Sequence, residues 1–258
     1  MCCFSRPVES VSATKIFARL VGSDRQATAY QMHLSAKEDL AMILPIPVAQ
    51  PAAEDAVKFI DLSGYKEMFG DLHKGFPVPE SRALSFGAPK IARNEAGSLP
   101  LKVESVGSYD ASFVPAVKDF ARLDERFRLP AETWDQLPQF KEFGFAVFKL
   151  KKGNSEVHPM GFTFPTALRG TVFFPTVHIH DGKVHEEEEF DHVLYAQAAD
   201  RAVIGGKGWE ESPGLAGSFT KPKSSQGMIW PDLHVYRLKV EGMRKNEDIL
   251  ARLRALGG

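Results

Sequence analysis

Two stretches near the start of the chain alternate apolar and polar side chains with a period of two. Residues 14–21 (Thr-Lys-Ile-Phe-Ala-Arg-Leu-Val) and 26–34 are expected to be strands, joined by a turn over 22–25. A third run, 40–48, is apolar almost throughout and contains Pro45 and Pro47. Proline has no N–H to give to a ladder, so the second half of this run is expected at a sheet edge or outside the sheet. Residues 57–62 form a short apolar run. Over 64–76 the spacing turns helical, with Tyr65, Met68, Phe69 and Leu72 on one face, and the pattern stops at Pro77. The stretch 77–100 is dense in Gly, Pro, Ser and Asn and reads as a long loop or linker.

A second part begins near Leu101. Residues 103–114 mix strand formers with a polar turn, and Pro115 is placed to open a helix through Phe120 and Leu123. A short helix is expected over 131–140. Strands follow over 143–150, 158–164 and 171–180. Asp181-Gly182 is a hairpin signal of the kind that needs positive φ, with the returning strand over 184–195. Residues 205–208 and 213–227 read as loops, and 233–240 as a late strand. Residues 247–256 read as a closing helix with Ile249, Leu250 and Leu253 on one side. Strands and helices do not alternate regularly, so a doubly wound parallel sheet is disfavoured. The expected fold is α+β and strand-rich, with antiparallel sheets forming a sandwich or partial barrel and a few short helices. Residues 1–258 are expected to be one domain, or two lobes over 1–76 and 101–258. Phe143, Phe145, Phe148, Phe162, Phe164, Phe173 and Phe174 are assigned to the core.

Charge adds exclusions. The 258 residues carry 32 basic and 33 acidic side chains, a formal net charge of −1. There is no chain-wide basic field for a nucleic-acid backbone, so nucleic acid is not an expected partner. No apolar run approaches the 18 or so residues of a membrane span, so no membrane is expected either. The start, Met-Cys-Cys-Phe-Ser-Arg-Pro, lacks the basic and apolar regions of a secretory signal, and a cytoplasmic location is the expectation. The only cysteines are the neighbours Cys2 and Cys3, so no structural disulfide is expected.

Candidate chemistry concentrates in the histidines. Four of the eight lie between positions 178 and 192, at His178, His180, His185 and His192. On a strand, His178 and His180 point the same way, about 7 Å apart. A turn at Asp181-Gly182 would return His185 alongside. Imidazole sets of this kind take zinc, copper or iron, and an open coordination position makes such a site catalytic. His178, His180 and His185, completed by His158, Cys2 or Cys3, are therefore the candidate metal ligands, with copper or zinc the expected ion and iron the other option. The competing reading is a solvated hairpin, since Glu186 to Asp191 is a charged run. The His-Xaa-His pair followed by Glu186 resembles part of the first histidine motif of cupins, a resemblance of about nine residues that implies a sheet-borne ion.

Cys2 carries a second possibility. A small second residue permits removal of Met1, which would put an amine and a thiol on one residue, the equipment of an N-terminal nucleophile amidohydrolase. Ser108, Tyr109 and Asp110 are candidate pocket residues, although a turn held by Asp and Ser side chains is the preferred reading of this stretch. The segments Ala41-Met-Ile-Leu-Pro-Ile-Pro47, Phe59-Ile-Asp-Leu-Ser63, the run 106–115 and Phe174-Pro-Thr-Val-His-Ile-His-Asp-Gly182 resemble a group of bacterial proteins beginning Met-Cys-Cys-Phe. That resemblance implies no particular activity. The leading expectation is thus a metal-binding protein, a metalloenzyme of redox or hydrolytic type acting on a small molecule or peptide. The alternatives are the Cys2 amidohydrolase and a non-enzymatic binding or scaffold module.

Overall fold

A computed structural model describes residues 3–77, 103–198 and 202–255. The chain runs β1 (Cys3–Phe4), β2 (Ser10–Val21), β3 (Arg25–Ala36), β4 (Leu40–Ile46), β5 (Lys58–Asp61) and helix α1 (Met68–Lys74). The middle contributes β6 (Glu104–Val106), β7 (Tyr109–Val114), helix α2 (Ala131–Asp135), β8 (Gly144–Leu150), β9 (Gly153–Glu156), β10 (Met160–Pro165) and β11 (Thr171–Phe174). The last part adds β12 (Glu187–Gln197), β13 (Ala202–Gly205), β14 (Glu210–Leu215), β15 (His234–Lys245) and β16 (Ile249–Ala255).

The strands form three sheets. One runs β1-β4-β8-β7-β6. The largest runs β14-β15-β12-β2-β3-β10-β5, with β9 also paired to β3. The third runs β11-β16-β13. Pairing is antiparallel throughout these ladders except between β12 and β2, which lie parallel with Val193 opposite Lys15 and Gln197 opposite Arg19. The fold is the expected strand-rich α+β, built as packed sheets with no closed barrel.

Three hydrophobic layers explain the sequence pattern. The main core lies between the two large sheets and takes Ile16, Ala18 and Leu20 from β2, Met42, Leu44 and Ile46 from β4, and Ala146, Phe148 and Leu150 from β8. The opposite faces of β4 and β8 are covered too. Ala41, Ile43, Phe145 and Val147 pack under the helical segment that carries Phe120, Trp134 and Phe140. Strands buried on both faces read as continuous apolar runs and not as alternation, which is how residues 40–46 and 144–150 appear. On the outside of the largest sheet, Phe17, Ala27, Ala29 and Tyr195 pack under α1 through Met68, Phe69 and Leu72. The helical face read over 64–76 is therefore correct, although the α-helix itself spans only seven residues.

The proline argument for β4 also holds. Pro45 lies in the half of β4 that β1 leaves uncovered, since β1 pairs only with Met42 and Ile43. Two expectations fail. Residues 249–255 form strand β16 and not a helix, with Ile249 and Leu253 packed on the main core and Leu250 exposed. Residues at i and i+4 share a face on a helix and on a strand alike, so the spacing of Ile249 and Leu253 fits both. The hairpin at Asp181-Gly182 is the other. Gly182 has φ +83° as expected, but β11 stops at Phe174 and pairs with β16, while β12 pairs with β2 and β15. The expected linker lies, apart from Pro77, outside the described residues.

Phe148 is fully buried and its ring meets those of Phe59, Tyr109 and Phe162 at centroid distances of 5.5, 5.6 and 5.8 Å. Phe148→Ala should lower unfolding free energy by about 3–5 kcal/mol, measured by urea denaturation; a loss below about 1 kcal/mol would contradict this packing.

Candidate functional site

Pro175 follows β11 and cannot donate to a ladder, so regular pairing ends there. The next residues, to 186, have no strand partner of their own apart from an isolated parallel bridge between Ile179 and Cys3. Their backbone groups are instead satisfied by the turn between β15 and β16. One carboxylate oxygen of Asp248 accepts from the N–H groups of Thr176 (2.7 Å) and Val177 (3.0 Å). Asn246 accepts from the His178 N–H (2.7 Å) and donates to the carbonyls of His178 and His185, each at 3.0 Å. The Thr176 hydroxyl donates to the Glu247 carbonyl at 2.8 Å. The segment in turn holds the chain's first strand: Phe4 N–H donates to Ile179 O and Val8 N–H to His180 O.

Held this way, His178 and His180 do share a side, and a third imidazole joins them from β12. The rings of His178 and His180 stack at 5.2 Å and 20°, and those of His178 and His192 at 5.1 Å and 11°. His178 and His192 are fully buried. Phe190 closes one side, 4.4 Å from the His178 ring, and Phe4 lies 5.9 Å from His180.

The hydrogen bonds assign the tautomers. Asp191 N–H donates to His192 Nδ1 at 3.3 Å, so that nitrogen carries no proton and His192 holds its proton on Nε2. His192 Nε2–H therefore donates to His178 Nε2 across 3.4 Å. His178 must then carry its proton on Nδ1, a buried atom with no hydrogen-bond partner. Burial holds all three imidazoles neutral: His180 is lowered to about 4, and His178 and His192 are pushed further down. Asp248 moves the other way, raised by desolvation to about 7 despite its two N–H donors.

The other candidate residues are elsewhere. His185 is exposed and pairs with Asp181 at 3.1 Å. His158 is about 20 residues upstream in sequence and packs in a separate site: its Nε2 accepts from Ser108 N–H at 3.1 Å, its Nδ1 faces the Pro159 carbonyl at 3.1 Å, and Tyr109 stacks on its ring at 4.5 Å. Gly107 makes this approach possible, because it adopts φ +63° and a Cβ there would sit 2.6 Å from His158 Nε2. Ser108 thus lies in the β6–β7 turn and Tyr109 and Asp110 at the start of β7, where Asp110 accepts from the Ser105 hydroxyl at 2.9 Å. Cys3 is buried and packs among Ile43, Val177 and Ile179. Cys2, the nucleophile of the amidohydrolase alternative, lies outside the described residues. His192, Asn246 and Asp248 were not among the candidates. Phe190, His192, Leu194 and Ala196 are buried in alternation along β12, a period-two signal that places His192 inside.

No known protein family matches the sequence, and no curated protein matches it. Solved structures do. The crystal structure of baculovirus P35 superposes with a TM-score of 0.52 at 13% identity, covering 97% of this chain and 99% of that one. A mutated baculovirus P35 after caspase cleavage matches with a TM-score of 0.48 at 14% identity, over 96% and 100% of the two chains. P35 in its complex with caspase-8 matches with a TM-score of 0.46 at 12% identity, over 95% and 97%. The likeness to P35 is one of fold.

These findings overturn the expected copper, zinc or iron site and the metalloenzyme built on it. Among the described residues, no group of three or more His, Cys, Asp or Glu side chains could hold a metal ion. His158, His185 and Cys3 are engaged elsewhere.

The shifted groups fix how stability depends on pH. Below pH 6.5 the unfolded chain protonates imidazoles that the folded chain keeps neutral, so their contribution is complete above that value and is lost as the pH falls. For His180 the window runs from 6.5 down to about 4. Asp248 has the opposite sign: its cost appears as pH rises from 3.8 to about 7. With three imidazoles against one carboxyl, the urea midpoint should fall steadily from pH 6.5 to 4; a flat or rising profile there would contradict the buried stack. At pH 8, Asp248→Asn keeps an acceptor for Thr176 and Val177 and sheds the buried charge, so its midpoint should equal or exceed the wild type. Asp248→Ala orphans both N–H groups and should lose about 1–3 kcal/mol in the same titration.

Proposed function

We propose that this chain is a protein-binding module whose partner is a caspase. The observation that carries the reading is the whole-length correspondence with baculovirus P35, 97% of this chain against 99% of that one at a TM-score of 0.52. A shared fold by itself leaves activity open. Two features of this chain support binding over chemistry. The full-length match allots nearly the whole chain to one architecture. The titratable cluster that the sequence singled out is sealed, with His178 and His192 fully buried. A protein that acts through a surface needs a rigid frame and not a solvent-open reactive group. No helix among the described residues is long and apolar enough to cross a membrane.

The test mixes the purified full chain with active caspase-8 at micromolar concentration. Co-elution on gel filtration is expected, with peptide hydrolysis by the protease reduced at least tenfold. Separate elution with full protease activity would overturn the proposal.

A further inference from the structure

The three-histidine stack sits directly behind the segment that anchors β1, and nothing in the binding role above uses it. Ile179 lies between His178 and His180 in sequence and faces the opposite layer, with Cys3, Ile43 and Val177. The same short segment therefore presents two imidazoles to one side and holds the start of the described chain from the other, Phe4 of β1 through the Ile179 carbonyl and Val8 beyond it through the His180 carbonyl.

An added proton breaks the present hydrogen-bond chain. A proton on His178 would have to go to Nε2, which accepts from His192. His192 would then have to move its own proton to Nδ1, against the Asp191 N–H that now donates there. Each charge would also lie about 5 Å from a neighbouring ring. Three carboxylates lie near the cluster. One Asp191 oxygen accepts the Ala13 N–H at 2.6 Å, and the other, buried and without a hydrogen bond, lies 3.7 Å from His192 Nδ1. Asp181 is bound by Lys183 N–H and His185. Asp248 holds Thr176 and Val177. Asp181 and Asp191 favour a charge on His180, and His185 opposes it. A charge on His178, in the middle, is opposed first by burial, then by the N-terminal amino group and by His180.

We infer that the His178–His180–His192 stack is an acid-sensitive latch: protonation opens the segment 175–186 locally and releases its hold on Phe4 and Val8, while the sheets, the β1–β4 pairing included, stay folded. Local opening of this kind is expected where a segment is held by side chains and not by a ladder. Protonated histidines are the usual trigger for interface release near pH 5–6.

Amide hydrogen exchange on the full chain at pH 7.5 and 5.0, corrected for intrinsic rates, reads the latch directly. The reporters are the amides of Phe4, Val8, Val177 and His178, with β2–β3 ladder amides such as Phe17 and Ala29 as the reference. At least a tenfold loss of protection is expected at the reporters on going to pH 5.0, with the reference unchanged. Unchanged reporters, or a loss shared equally by the reference, would overturn the inference. His178→Phe, which keeps an aromatic ring against Phe190, should abolish the pH effect at the reporters. His192→Gln serves the same purpose if that variant does not fold. A variant that keeps the full wild-type pH effect also overturns the inference. If neither variant folds, the wild-type contrast between reporters and reference decides alone.

Discussion

Two short polar side chains, Asn246 and Asp248, govern one end of this molecule. Between β11 and β12 the chain must cross a buried region without a strand beside it. Buried backbone groups need partners, and here they come from a turn. Five hydrogen bonds from Asn246 and Asp248 fix Thr176 to His178 and His185. Once that segment is fixed, the imidazoles of His178 and His180 are aimed inward and the Ile179 and His180 carbonyls are aimed at the first strand. A cluster of neutral histidines, an anchored chain start and a shared apolar layer around Ile179 all follow from the same turn.

The rest of the architecture is a matter of covered faces. The five-stranded sheet is buried on one side by the largest sheet and on the other by the helical segment around Phe120 and Trp134. The largest sheet carries α1 on its outer side over Phe17 and Tyr195. A chain arranged this way spends most of its large apolar residues on internal layers.

How much of this could be read from residues depends on whether the signal is local. Doubly buried strands such as 144–150 announce themselves as apolar runs, and α1 as a four-residue apolar face, because each pattern is set by neighbours in sequence. The aromatic core was legible for the same reason: Phe145, Phe148, Phe162, Phe164, Phe173 and Phe174 are all buried. The closing strand β16 was not, since Ile249 and Leu253 satisfy both periods and only the pairing with β11 and β13 chooses between them. The histidine cluster was half legible. His178 and His180 were placed on one side correctly, yet their third neighbour comes from β12 and not from His185 across a hairpin. What His-Xaa-His cannot disclose is that the backbone carrying it is held by Asn246 and Asp248, about 70 positions away.

One ladder sets the order in which the molecule can be made. β2 lies between β3 and β12, and its partner on the β12 side is 178 residues downstream, Lys15 against Val193. The β2–β3 hairpin can close as soon as residue 36 is available. The largest sheet cannot be completed until β12 and then β15 have left the ribosome, so for most of synthesis β2 offers an open edge. Closing so distant a contact is slow, because the loop entropy is lost before the pairing is gained. Ala13 sits at the head of that edge, in a bulge with φ +52°, and its N–H waits for the Asp191 carboxylate. Bulges of this sort twist an unpaired edge away from chance partners. The irregularity that marks the meeting point of β2 and β12 in the finished protein therefore also guards that edge in the nascent one.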